Sequence, residues 1–183
     1  MIYKKLTKNI VLIGLMGSGK TMVAKALAKK LKIERCSIDE MIEEQQNRSI
    51  AHIIEEKGWP YFRELEHKMV KKFARKKGVI IDCGGGAVLR SENFEFLKKN
   101  GMIFFLKASP QVLYRRLKGD KTRPLVNGPH PQARLKAILK ERLPLYNQAD
   151  YTIDASEASI DGPVAEILEV LGYFPTPKSR ETK

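Results

Sequence analysis

Hydrophobic residues along the chain alternate between short continuous runs and longer stretches in which they recur every three or four positions. Short apolar runs rich in β-branched residues predict buried parallel strands, whereas the periodic stretches predict amphipathic helices. Strand-like runs occupy residues 9–13, 36–39, 78–83, 102–106 and 151–154, and helical patterns lie between them. This alternation predicts an α/β fold with three layers, α/β/α, around a central parallel sheet.

Two stretches carry neither pattern. Residues 119–132 are rich in proline, glycine and polar side chains, and an irregular loop of this length is typical of a mobile lid. Residues 173–183 combine prolines with charged side chains, which predicts a disordered tail. Residues 1–172 suit a single domain, because a chain of 183 residues with 43% hydrophobic residues can bury one sizeable core.

Residues 14–21, with the sequence GLMGSGKT, fit the phosphate-loop pattern G-x-x-x-x-G-K-[ST] between a predicted strand and a predicted helix. Glycines allow backbone N–H groups to turn towards an anion, and the helix adds the positive end of its dipole. We expect a nucleoside triphosphate here rather than a helix N-terminus without a ligand, with the Lys20 ammonium at the β- and γ-phosphates and the Thr21 hydroxyl on Mg²⁺. The loop residues expected to bind it are Gly17, Ser18, Gly19, Lys20 and Thr21.

Further candidates follow other predicted strands, since ligands gather beyond the carboxyl ends of parallel strands. Asp39 ends the second run, although it would also serve as the cap of the helix that follows. Asp82 follows four apolar residues as in a Walker B strand, where a carboxylate supports Mg²⁺, although hydrophobic strands commonly end in aspartate. Glycines at 84–86 would admit a ligand close to the backbone, or would form only a flexible turn.

Two arginines are also candidates because of where they lie. Arg63 is near the start of a predicted helix, where the dipole disfavours a cation, and this placement indicates an anionic partner. Arg123 lies inside the predicted lid, from which its side chain would swing over bound phosphate.

The net charge of +13 would suit nucleic acid, an anionic membrane surface or small acidic substrates. Its lysines and arginines are scattered without interleaved aromatics, which favours a solvated surface and no nucleic-acid partner. No apolar run approaches the roughly 20 residues of a membrane helix, so we expect no membrane association. Cys36 and Cys83 fit no metal or redox spacing and are expected to be buried free thiols of a cytoplasmic protein.

Six motifs occur in an order that closely resembles shikimate kinase, from Ile10 to Leu171. They are the phosphate loop at 14–21, Ile-Asp-x-x-Ile-Glu at 38–43, Phe-Arg-x-x-Glu at 62–66, Gly-Gly-Gly-Ala-Val at 84–88, Arg-Pro-Leu at 123–125 and Glu-Arg-x-Pro-x-Tyr at 141–146. The resemblance implies a P-loop kinase fold with a mobile lid and ATP-dependent phosphorylation of the 3-hydroxyl of shikimate, a step towards aromatic amino acids. It also suggests a monomer.

The resemblance implies a role for each matching residue. Asp39 would bind the ring hydroxyls and accept the attacking proton, and Arg63 and Arg142 would clamp the substrate carboxylate. Lys20 and Arg123 would neutralise charge on the transferred phosphoryl group, which together with Asp39 makes the expected catalytic set. The remaining roles are a substrate pocket lined by Gly84, Gly85 and Gly86, and adenine stacking by Arg116.

The chain departs from the family pattern on the metal side. The family usually carries a second aspartate two residues before Asp39, and Ser37 stands there instead. Asp82 lies where the family is usually not acidic, and we hypothesise that its carboxylate replaces the missing one. The alternatives are a kinase of another small acceptor, such as gluconate or a nucleotide, and a basic nucleic-acid-binding NTPase.

Overall fold

A computed structural model describes residues 6–118 and 130–173, and in this part five parallel strands form one sheet in the order β2-β3-β1-β4-β5. The strands are β1 (Asn9–Ile13), β2 (Arg35–Ser37), β3 (Ile80–Asp82), β4 (Gly101–Lys107) and β5 (Tyr151–Asp154). The predicted central parallel sheet is therefore confirmed.

Seven α-helices and one short 3-10 helix accompany the strands in the described part of the chain. They are α1 (Lys20–Leu31), α2 (Ile38–Gln46), α3 (Ile50–Ala74), the 3-10 turn Ala87–Leu89, α4 (Ser91–Asn100), α5 (Pro110–Leu117), α6 (Pro131–Tyr146) and α7 (Asp161–Val170). No helix among these residues is long and apolar enough to span a membrane.

The core has two halves because side chains of a strand point alternately to opposite faces of the sheet. In β1, Val11 and Ile13 join the cluster that packs under α2 to α6, whereas Ile10 and Leu12 join the cluster under α1 and α7. All five residues of β1 are buried, as expected for a central parallel strand covered on both faces. The predicted three layers are confirmed.

The predicted end of the second strand, at residue 39, is wrong. The strand stops at Ser37, and residues 38 and 39 already belong to α2. The Ser37 hydroxyl accepts a hydrogen bond from the Glu40 amide at 3.4 Å, so Ser37 is the helix cap and Asp39 is not. Asp39 therefore lies in the first turn of a helix.

Other boundaries depend on glycine and proline. Gly58 has φ 77° and ψ 169° inside α3, so α3 consists of two helical segments that meet at this non-helical residue. Of the lid predicted at about 119–132, residues 119–129 lie outside the described chain, and α6 begins at Pro131. The predicted tail lies outside it from residue 174 onwards.

Candidate active site

The carboxyl ends of three neighbouring strands bring the candidate residues to one edge of the sheet. Asp82 of β3 is in register with Leu12 of β1 and with Ser37 of β2. The phosphate loop after β1, the first turn of α2 and the glycines after β3 therefore border a common cavity of about 870 Å³. This volume is within the range of small-ligand sites.

The phosphate loop is built as an anion site. Gly19 has φ 91° and precedes α1, whose first turn contains no acidic residue. The Lys20 ammonium donates to the Leu15 carbonyl at 3.1 Å, across the loop. The Ser18 hydroxyl oxygen is buried beside Gly14 and has no hydrogen-bond partner among the described residues, but Ser18 does not line the cavity. The N–H groups at the start of α1 favour a phosphate ligand.

The glycines at 84–86 leave room for the candidate acceptor residues. A Cβ on Gly84 would lie 2.6 Å from Asp39 Oδ1 and 2.9 Å from Glu66 Oε1. A Cβ on Gly86 would collide with the guanidinium of Arg63. A Cβ on Gly85 would lie 3.4 Å from the amide nitrogen of Met16, so Gly85 packs against the phosphate loop. The backbone of these three glycines therefore lies between the phosphate loop on one side and the acceptor residues on the other.

Arg63 and Glu66 form an ion pair along one turn of α3. Arg63 Nη1 donates to Glu66 Oε2 at 2.6 Å, and the Glu66 side chain is only 1% exposed. The guanidinium carbon also lies 5.0 Å from the ring centre of Trp59. Burial raises the pKa of Glu66 to about 7 despite the opposing effect of Arg63. This carboxyl group therefore titrates near neutral pH inside the site.

Arg142 of α6 is a nearly buried cation, 6% exposed. Its Nη1 donates to the Gly85 carbonyl at 3.1 Å, and its Nε is buried without a hydrogen-bond partner in the part of the chain that the structure describes. Across the described residues it has no carboxylate within 4.0 Å. A buried guanidinium with an unsatisfied donor indicates that an anionic ligand completes this site.

Tyr146, one turn further along α6, fixes the same glycine backbone. Its hydroxyl donates to the Gly85 carbonyl at 2.6 Å, and its ring stacks on Phe105 with centroids 5.0 Å apart. Burial raises the pKa of Tyr146 to about 12, so the hydroxyl remains a donor at all ordinary pH values.

The metal-side candidates border the same cavity but differ in their surroundings. Thr21 is exposed at the start of α1, whereas Asp82 is 4% exposed and its Oδ2 accepts from Arg35 Nη1 at 2.9 Å. No group of three or more His, Cys, Asp or Glu residues in the described chain forms a metal cage. One hydroxyl and one carboxylate nevertheless fit Mg²⁺, which is commonly bound through few protein oxygens together with water and substrate phosphates.

The structure brings nearly all the predicted site residues together around this cavity. Those that line it are Gly17, Gly19, Lys20, Thr21, Asp39, Arg63, Asp82, Gly84, Gly85, Gly86, Arg116 and Arg142. Arg116 donates to the carbonyl of Gly17 in the phosphate loop at 3.2 Å, and also to the carbonyl of Glu157. Arg123 lies outside the described residues. Cys36 and Cys83 are buried free thiols, as predicted.

Sequence reasoning gave no role to Glu66, Trp59 or Arg35, although each side chain contacts a site residue. Glu66 was part of the Phe-Arg-x-x-Glu motif, and its spacing of three residues from Arg63 was the available signal for an ion pair on one helix face. Arg35 carried no such signal, because its contacts depend on the register of two strands.

Comparisons with known proteins agree on one family. A family model described as shikimate kinase matches residues 16–172. The chain is 47% identical over 162 residues to a shikimate kinase of Thermodesulfovibrio yellowstonii, covering 88% of this chain and 94% of that protein. It is 43% identical over 161 residues to one of Caldanaerobacter subterraneus, again covering 88% and 94%.

Solved structures extend the comparison to the fold. The shikimate kinase from Acinetobacter baumannii in complex with shikimate superposes with a TM-score of 0.88 at 33% identity, covering 91% of this chain and 94% of that one. A gluconokinase from Sinorhizobium meliloti gives a TM-score of 0.54 at 17% identity, covering 91% and 98%, and shows the shared fold alone.

Proposed function

Because the chain belongs to the shikimate kinase family, we propose that its cavity transfers the γ-phosphoryl group of ATP to the 3-hydroxyl of shikimate, giving shikimate 3-phosphate and ADP. The observation that carries the proposal is Arg142, whose buried guanidinium keeps an unsatisfied Nε beside the glycines that border the phosphate loop. Shikimate supplies the carboxylate that such a cation requires, together with hydroxyl groups on the same ring.

On the acceptor side, Arg63 and Arg142 clamp the carboxylate of shikimate. Two planar guanidinium groups hold a carboxylate by paired hydrogen bonds, which also orients the ring. Asp39 then binds the ring hydroxyls from the first turn of α2. The oxygen of the 3-hydroxyl forms the new bond to the γ-phosphorus, its proton passes to the Asp39 carboxylate, and the β–γ bridging oxygen leaves with ADP.

On the donor side, the backbone of residues 17–21 and the N-terminus of α1 hold the triphosphate. Lys20 places a positive charge at the β- and γ-phosphates, and Arg116 stacks on adenine. Arg123, which lies outside the described residues, would add a second positive charge at the transferred phosphoryl group. Phosphoryl transfer needs mainly alignment and charge neutralisation, and these groups supply both.

Thr21 and Asp82 are the residues that would hold Mg²⁺. Held there together with ATP, Mg²⁺ would supply positive charge to the phosphate oxygens. Support for Asp82 comes from its register with Ser37, because the two positions are neighbours at the same edge of the sheet. A carboxylate at either position would therefore face the same side of the phosphate loop.

The direct test is ADP release in the presence of shikimate, gluconate, a nucleoside monophosphate or no acceptor. We expect strong stimulation by shikimate alone, and equal rates with and without it would defeat the proposal. Addition of DNA or RNA should not stimulate hydrolysis, which separates the kinase from a nucleic-acid-dependent NTPase. We further propose a cytoplasmic monomer; the two free thiols are consistent with a reducing compartment.

A further inference from the structure

We propose that Arg35 is a positioning residue that fixes Asp39 in the acceptor site, an inference that rests on the proposed role of Asp39. Arg35 lies in β2, and its guanidinium divides between two carboxylates. Nη1 donates to Asp82 Oδ2 at the end of β3, and Nη2 donates to Glu40 Oε2 in the first turn of α2. The Arg35 side chain thereby connects β2, the end of β3 and the first turn of α2.

Asp39 lies between the two anchors of this clamp. It directly precedes Glu40, so the arm that holds Glu40 also holds the turn that carries Asp39. On the other side, Asp82 comes two residues before Gly84, whose added Cβ would lie 2.6 Å from Asp39 Oδ1. Movement of α2 away from β3 would widen this gap, and the fork of Arg35 resists that movement.

The local backbone offers little other restraint. Among the described strands β2 is an edge strand of three residues that pairs only with β3. The Ser37 cap on the Glu40 amide is long, at 3.4 Å. By contrast, Arg35 is 13% exposed and Asp82 is 4% exposed, so their hydrogen bond is largely shielded from water. The side-chain clamp therefore adds a polar connection between the two walls to the apolar packing of Ile38 and Ile42, which holds α2 on the core.

The contact between Arg35 and Glu40, which is the outer arm of the clamp, can be weakened by a conservative substitution. Glu40 is 53% exposed, and its hydrogen bond to Arg35 lowers the pKa of the Glu40 carboxyl, so the pair is charged at neutral pH. Glu40→Gln weakens this arm without disturbing the buried Arg35–Asp82 contact. Arg35→Lys keeps the charge but removes the fork, because an ammonium cannot reach both carboxylates with fixed planar geometry.

A surface ion pair of the same type provides the control. Arg48 and Glu56 contact each other at about half exposure, and neither lines the cavity. Glu56→Gln therefore removes an exposed arginine partner without touching the acceptor site, and its kcat and KM values should equal those of the wild type.

The experiment is a double-mutant cycle with Asp39→Asn, measuring kcat and the KM values for shikimate and ATP. At saturating Mg²⁺ we expect Glu40→Gln and Arg35→Lys each to lower kcat by about threefold to tenfold, and Glu40→Gln, which leaves the Arg35–Asp82 contact in place, to keep KM for ATP unchanged. In the Asp39→Asn background Glu40→Gln should change turnover by less than about twofold, because its effect acts through Asp39. Fluorescence of Trp59, the only tryptophan, reports shikimate binding for the same cycle where turnover is slow.

Three results would overturn the inference. Equal losses from Glu40→Gln with Asp39 present and absent would show that the clamp does not act through Asp39, and no loss at all would show that turnover does not depend on the clamp. Full activity of Asp39→Asn would instead remove the proposed role of Asp39 itself. If the Arg35 variant does not fold, Glu40→Gln and its control decide the question alone.

Discussion

Glu66 should make the stability of this protein depend on pH in a predictable direction. Its carboxyl is almost fully buried, and burial raises its pKa from 4.5 to about 7. The folded state thus binds more protons than the unfolded state between these values. The contribution of protonated Glu66 to stability is fully present below pH 4.5 and is lost as the pH rises towards 7.

The size of the effect follows from the two pKa values. Integrating the linkage relation from pH 5 to pH 8 gives a loss of about 2 to 3 kcal/mol in the free energy of unfolding. Glu66→Gln keeps the shape of the side chain but cannot titrate. The free energy of unfolding of the wild type minus that of the variant should therefore fall by about 2 to 3 kcal/mol over this range.

Urea unfolding followed by Trp59 fluorescence and circular dichroism at several pH values measures this difference. Glu64→Gln is the matched control, since it removes an exposed carboxylate from the same helix. We expect the control to lack the large change seen with Glu66→Gln. A wild-type minus Glu66→Gln difference that stays constant from pH 5 to pH 8 would refute the reasoning.

Three further substitutions test other contacts. Tyr146→Phe keeps the aromatic stack but removes the donor to the Gly85 carbonyl, so unfolding should become easier by about 1 kcal/mol and KM for shikimate should rise; an unchanged melting curve would contradict this. Gly86→Ala should displace the Arg63 guanidinium and raise KM for shikimate by about tenfold or more at an unchanged KM for ATP, with calorimetric binding as the check. Asp82→Asn should raise the Mg²⁺ concentration for half-maximal activity by about threefold or more, and an identical titration would exclude its role at the metal.

Local patterns explain why so much of the fold could be predicted from the sequence. The run at 9–13 is apolar at every position, and the structure buries all of β1. The break in α3 lies at Gly58, two residues before Pro60, where the intrinsic backbone preferences of both residues disfavour a continuous helix. The end of β2 was misplaced because Ser37 caps a helix whose apolar pattern overlaps that of the strand.

The site was predictable as a set of residues but not as a network. Position along the chain singled out Asp39 and Arg63, and the resemblance to shikimate kinase added Arg142; the three residues lie on three different helices. The proximity of Asp39 and Glu66 across Gly84 depends on how α2 and α3 pack against the end of β3. The contact between Arg35 and Asp82 depends on strand register, which no local pattern of residues specifies.

The central claim is that Arg142 recognises the carboxylate of an acidic acceptor beside the phosphate loop. Calorimetric binding of shikimate and of its uncharged carboxamide to the wild type and to Arg142→Gln tests it directly. The wild type should prefer shikimate by about a hundredfold, because the carboxamide leaves a buried cation unpaired, and the variant should lose most of that preference. An equal preference in both proteins would contradict the account.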